Sequence, residues 1–228
     1  MSSAINLDLD IKGIIFDLDG VIADTAHLHY KAWCKIASQW KFNLSIHQNE
    51  KLKGVSRNNA IRKIAYWAGK NLSEKELENF ADQKNAFYLD YCESLSPEDT
   101  LPGVVSFIDQ CRRKAMKLAV GSASKNAKII LQKLQIIDVF QVIVDGNMVE
   151  KSKPHPEVFL KAAELMQIKP SDCVVFEDSQ AGIQAAINAG MVNIGIGSSD
   201  LRDCNAQIQS FEKYNLNKLI SQINNQNS

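Results

Sequence analysis

Five short apolar runs most constrain this fold: Lys12–Phe16, Lys117–Gly121 (KLAVG), Val142–Asp145 (VIVD), Cys173–Glu177 (CVVFE) and Val192–Ile196 (VNIGI). Each is short enough for a strand and too short for a buried helix, and helical patterns separate most of them. Helices are expected over Val104–Lys114 and over Asn126–Leu134, where Ile129, Ile130, Leu131 and Leu134 are apolar. Two more are expected over Pro156–Met166, with proline in the first turn, and over Ala181–Ala189, closed by Gly190. Strands alternating with helices need crossover connections. The expected class is therefore α/β, with a doubly wound parallel sheet.

One region breaks the alternation. Between about Ala26 and Ser94 there is no convincing strand. Ala26, Tyr30, Trp33, Ala37 and Trp40 fall at helical spacing, as do Ile61, Ile64, Ala65 and Ala68. A third helix opens on Ser73-Glu74-Lys75-Glu76, which fits a capping box. Its stripe is Leu77, Phe80, Lys84, Phe87 and Tyr91, with Lys84 the one polar member. Roughly 70 residues of helix thus interrupt the sheet after its first strand. The expected division is a core domain of residues 1–25 and 95–228 and a helical cap of residues 26–94, with Pro97 and Pro102-Gly103 marking the return.

With 228 residues, 45% of them hydrophobic, the chain can fill one large core and a small satellite one. Lys+Arg and Asp+Glu both total 26, so no general pull toward nucleic acid or an anionic membrane exists. No apolar run is long enough to span a bilayer. The start, MSSAINLDLD, lacks the basic and apolar segments of a signal peptide and reads as a short extension. The polar end, Asn224–Ser228, reads as frayed. Five scattered cysteines without a CxxC argue against a disulfide frame or a zinc site and for a cytoplasmic setting.

The chemistry concentrates at strand ends. The first apolar run ends in Asp17 and Asp19, followed by Gly20. Residues i and i+2 of a strand point to one face, about 6–7 Å apart. In open parallel sheets that edge is where ligands bind. Two carboxylates about 4 Å apart repel by roughly 4 kcal/mol at an effective dielectric near 20. A turn and a helix cap would explain one such pair. They explain poorly a second, Glu177-Asp178, at the end of another buried run. If the two runs are near neighbours, four carboxylates converge, and a hard divalent ion, Mg²⁺, fits them. Ser122 and Ser124 follow a third apolar run, where hydroxyls and free N–H groups suit a phosphate. Lys153 precedes a helix N-terminus, where a cation gains nothing from the dipole, so its expected role is to balance a carboxylate or phosphate.

These four motifs, DLDG (Asp17–Gly20), the Ser122 strand end, Lys153-Pro154 and Glu177-Asp178, stand in an order that resembles the haloacid dehalogenase superfamily of phosphotransferases. The likeness covers nearly the whole chain and implies a Rossmann-like core under a helical cap. Within that superfamily the chain is similar to the β-phosphoglucomutase group. FDLDGVIADTA, His29, Trp33, LKGVSR (Leu52–Arg57), GSASKN (Gly121–Asn126), SKP and EDSQAGIQA (Glu177–Ala185) carry the similarity. It departs at the N-terminal extension, around Asn147–Glu150, and at His155.

The resemblance implies that Asp17 is a nucleophile forming an aspartyl phosphate and Asp19 the general acid and base. It implies Mg²⁺ on Asp17, the Asp19 carbonyl and Asp178, with Glu177 beside it or binding through water. Ser122 and Lys153 would cradle the transferring phosphoryl group. Arg57 suits a second phosphate, joined by Ser124, Lys125 and Asn126, with Ser56 and Ala123 in the same stretches. Gly54 and Val55 would offer N–H groups to a sugar. Lys53, His29 and Thr25 would line the hinge, and Trp33 is either cap core or sugar platform. The implied reaction exchanges β-glucose 1-phosphate and glucose 6-phosphate through the 1,6-bisphosphate, in a monomer whose ligands are sugar phosphates. A phosphatase of the same superfamily is the alternative. A signalling receiver would share the acids, hydroxyl and lysine, but has no use for an acid at i+2 or for the helical insert.

Overall fold

The computed structural model describes residues 11–197 and 200–226. The expected N-terminal extension, residues 1–10, lies outside the described residues. The chain begins with β1 (Gly13–Phe16) and then runs through four helices: α1 (Ala26–Gln39), α2 (Ile46–Glu50), α3 (Arg57–Trp67) and α4 (Glu74–Tyr91). Alternation resumes with α5 (Val104–Arg113), β2 (Lys117–Gly121), α6 (Ala127–Lys133) and β3 (Val142–Val144). It continues through α7 (Glu157–Met166), β4 (Cys173–Glu177), α8 (Gln180–Asn188) and β5 (Val192–Ile196), and ends with β6 (Ala206–Ile208) and α9 (Leu216–Gln226).

All strand pairs are parallel, in the order β3-β2-β1-β4-β5-β6. Successive side chains along the strands feed opposite layers. Ile14, Phe16, Leu118, Val120, Val174 and Phe176 pack with apolar residues of α5, α6 and α9. Ile15, Ala119 and Val175 pack on the other face with α7 and α8. An aromatic knot of Phe16, Phe107, Phe176 and Phe211 fills the first layer, with ring centroids 4.9–6.3 Å apart.

Of the inserted helices, α1, α3 and α4 close a cluster of their own around Trp33, Ile36, Ile61, Ile64 and Leu77. Their connections to the sheet run side by side. Ala23 bridges Thr100, and Leu101 N–H donates to the Ile22 carbonyl at 2.8 Å.

The structure corrects several sequence expectations. It adds β6, a three-residue edge strand (AQI) whose half-exposed residues leave no apolar run to read. It adds α9, whose Leu216, Leu219 and Ile223 join the core. That helix carries Asn224–Gln226, expected as a frayed end, while residues 227 and 228 lie outside the described residues. On α4 the buried stripe is Leu77, Ala81, Lys84 and Tyr88, not the expected Phe80, Phe87 and Tyr91, which are half-buried. The small Ala81 lets α4 seat closely, so the larger rings lie at its margins.

Candidate active site

Register builds the site. β1 lies between β2 and β4, with Phe16 opposite both Val120 and Phe176. The residue after Phe16 is therefore a neighbour of the residues that end β2 and β4. Strand order reverses between β1 and β4, the switch point at which such sheets open a crevice. Asp17, Ser122 and Glu177-Asp178 meet there.

Among the described residues, carboxylate oxygens of Asp17, Glu177 and Asp178 lie within 4.8 Å of one another. Lys153, itself 2% exposed, reaches Asp17 at 2.5 Å and Glu177 at 2.8 Å. Burial, then Glu177, drives the Asp17 carboxyl well above its ordinary range despite Lys153. Burial and Glu177 likewise push Asp178 up to about 7, against the pull of Lys53. Burial opposes the charge of Lys153, but Asp17 and Glu177 outweigh it and raise its pKa. Two ammoniums, Lys153 on Asp17 and Glu177 and Lys53 on Asp178, still leave three acids short of positive charge. An all-oxygen set short of positive charge fits a hard divalent cation such as Mg²⁺. Three acids converge here rather than four. The Asp19 carboxylate turns away, accepting from the Thr25 hydroxyl at 2.5 Å and lying 3.4 Å from His29 Nε2. Burial would raise Asp19, yet His29, the Thr25 hydroxyl and Lys84 hold it down at about 2.

Two glycines make this packing possible. Gly20 sits at φ +84° against Asp178, where any Cβ would strike the carboxylate. Gly54 sits at φ +70°, and a Cβ there would lie 2.9 Å from Ser179 Oγ. The insert and the sheet are thus in close contact at Gly54.

A cavity of about 390 Å³ opens above the acids, between sheet and insert. Asp17, Asp19, Ser122, Lys153 and Asp178 form its floor, and Ala123, Ser124, Lys125 and Asn126 one wall. His29, Trp33, Lys53, Gly54, Val55, Ser56 and Arg57 face it from the insert. The structure therefore gathers the sequence candidates, with two behind the lining. Thr25 is fully buried and bonds Asp19, while Glu177 lies under α8, accepting from the Ser179 hydroxyl at 2.5 Å. Trp33 is both core and lining. Lys53 bridges Glu50 at 3.0 Å and Asp178 at 3.1 Å, an ion pair across the gap. Arg57 opens α3, where a cation is disfavoured by the dipole, yet its side chain is only 17% exposed.

Sequence reasoning missed Lys84 and Asn85, which also line the cavity. Lys84 Nζ lies 2.7 Å from His29 Nδ1 and 4.7 Å from the Trp33 and Tyr88 rings. Burial pushes its pKa down to about 7, against Asp19. Burial and Lys84 lower His29, which Asp19 opposes. A lysine on an otherwise apolar helical stripe was the available signal. Asn85 carries no such mark.

The comparisons with known proteins agree with this geometry. The family model for haloacid dehalogenase-like hydrolases matches residues 14–196. The chain is 40% identical over 189 residues to a β-phosphoglucomutase of Bacillus subtilis, covering 82% of this chain and 84% of that one. It is 32% identical to a fructose-1-phosphate phosphatase of Escherichia coli, covering 78% and 93%. A crystal structure of β-phosphoglucomutase from Clostridium difficile superposes with a TM-score of 0.91 at 35% identity, over 95% of this chain and 98% of that one. The chain belongs to the haloacid dehalogenase-like hydrolase family.

Proposed function

We propose that the protein is a β-phosphoglucomutase, exchanging β-glucose 1-phosphate and glucose 6-phosphate through β-glucose 1,6-bisphosphate. The observation that carries this reading is a cavity lined by two sets of anion-binding groups. Its lining holds the acids, Ser122 and Lys153, and also a separate set of phosphate-type donors, Arg57 and Asn126, joined through Asn85 and supplied by insert and sheet together. A hydrolase needs one phosphate site, whereas a mutase must hold a bisphosphate in either orientation. The similarity to the B. subtilis and C. difficile mutases supports the same reading.

In this scheme residues 1–25 and 95–228 form the core and residues 26–94 the cap. The cycle starts with Asp17 carrying the phosphoryl group given by the priming bisphosphate. Asp19, ionised as its low pKa gives, takes the proton of the 6-hydroxyl of β-glucose 1-phosphate as that oxygen attacks the aspartyl phosphate, and the bond from phosphorus to Asp17 breaks to leave the 1,6-bisphosphate. The bisphosphate turns over, the Asp17 carboxylate attacks the other phosphorus, the bond from that phosphorus to the sugar oxygen breaks, and Asp19 returns its proton to that oxygen. Ser122 and Lys153 hold the transferring oxygens. Mg²⁺, held by Asp17, Asp178 and the Asp19 carbonyl with Glu177 nearby, would supply charge neutralisation. Lys53, Gly54 and Val55 close over the sugar and exclude water from the aspartyl phosphate.

The second reading is a sugar-phosphate phosphatase, favoured by the likeness to the E. coli enzyme. Incubation with β-glucose 1-phosphate, Mg²⁺ and catalytic 1,6-bisphosphate separates the two. The mutase reading expects glucose 6-phosphate. Stoichiometric inorganic phosphate without glucose 6-phosphate rejects it.

A further inference from the structure

Asn85 lies where three elements meet. Its side-chain oxygen accepts from Arg57 Nη2 at 2.7 Å and from Asn126 Nδ2 at 2.8 Å. The chemistry fixes these assignments. A guanidinium only donates, so the Asn85 atom facing it is the oxygen, and the Asn126 atom facing that oxygen is the nitrogen. Arg57 belongs to α3, Asn85 to α4, and Asn126 caps α6 on the sheet side. Asn126 is 7% exposed, so its amide is held as well as aimed. Arg57 also lies 3.9 Å from the exposed carboxylate of Asp82.

Two donors converging on a single oxygen is the arrangement one oxygen of a phosphate monoester would require. We propose that Asn85 is a positioning residue, whose neutral carbonyl preassembles Arg57 and Asn126 into a clamp for the phosphate farthest from Asp17. This rests on the reading of those two residues as the distal-phosphate donors. Neutrality is central. A carboxylate would hold the same donors more firmly but would repel the arriving phosphate. Because the bridge spans insert and sheet, the clamp is complete only when the insert is seated. A ligand with a distal phosphate therefore stabilises the seated form, and a ligand without one does not.

The test uses the full chain with Mg²⁺ and two phosphoryl donors. Glucose 1,6-bisphosphate carries a distal phosphate, and acetyl phosphate, an acyl phosphate that leaves as acetate, carries none. Rates of Asp17 phosphorylation against donor concentration give KM and kcat for wild type, Asn85→Ala and Asn85→Asp, with thermal midpoints as the fold control. Asn85→Ala is expected to raise the bisphosphate KM about tenfold with a much smaller change in kcat. Asn85→Asp is expected to raise it further, although it preserves the bridge, while acetyl phosphate is affected far less by either. Wild-type behaviour of Asn85→Asp toward the bisphosphate overturns the proposal, and so does an equal loss with both donors. If the wild type itself shows no preference for the bisphosphate, the distal site and the mutase reading fall first.

Discussion

Asp17 and Asp19 are two residues apart in sequence and sit in opposite electrostatic surroundings. Asp17 shares a buried corner with Glu177 and Asp178, so its carboxyl rises; Asp19 is met by donors, so its carboxyl falls. In the proposed scheme, environment thus separates a nucleophile from a proton carrier. Asp19→Ala is expected to keep the fold and lower turnover by about 10²–10⁴-fold, while Asp17 still accepts phosphate from acetyl phosphate. Steady-state assays and intact-protein mass spectrometry check both halves. Lys84 makes a second prediction. Its folded pKa of about 7 lies below the usual lysine value of 10.5. Between those values the unfolded chain binds a proton that the folded chain lacks, so stability rises with pH across that window. Lys84→Met should therefore raise stability by about 1–3 kcal/mol, read as the largest rise in thermal midpoint at or below pH 7, with the gain fading toward pH 10. Activity should fall. A pH-independent difference would refute the assignment. The acids were legible because like charges ending buried runs have few benign explanations. Lys84 was visible only as an oddity, and Asn85 not at all, since its partners come from segments 28 and 41 residues away.

At the scale of elements, periodicity and capping residues were good guides and short edges were not. Ser73 caps α4 with its hydroxyl and Glu76 closes the reciprocal bond, as the Ser-x-x-Glu spacing predicts. Ser73→Ala should cost about 1 kcal/mol in denaturant unfolding and leave turnover intact, since Ser73 is remote from the cavity lining. The loop before α3 is a different case. Gly54→Ala adds a Cβ at φ +70° against Ser179. It should raise KM and lower kcat together by hindering closure, and cost about 1 kcal/mol in unfolding from the left-handed backbone. β6 escaped notice because a three-residue strand carries too few positions to show a period. α9 escaped because Asn217, Gln222 and their polar neighbours surround a narrow apolar stripe.

The molecule as a whole holds a corner of negative charge that its own lysines only partly answer. Mg²⁺ binding to the folded state alone should stabilise it by about 2.7 kcal/mol at a hundredfold excess over Kd, seen as a rise in the thermal midpoint. Asp178→Asn should abolish most of that shift. A midpoint indifferent to Mg²⁺ would remove the metal from the scheme. The doubly wound sheet was legible from its alternating runs, and with it the meeting of the motifs. How the insert seats was not, because Asn59 to Ser152, at 3.4 Å, and Lys53 to Asp178 are long-range choices. The paired connections at Ala23 and Thr100 have one more consequence. From the sheet, everything between them is a single detour whose two ends touch. A short turn could bridge that gap, and a foreign module with adjacent termini could be spliced in its place, re-addressing the same catalytic floor to new ligands without redrawing a strand.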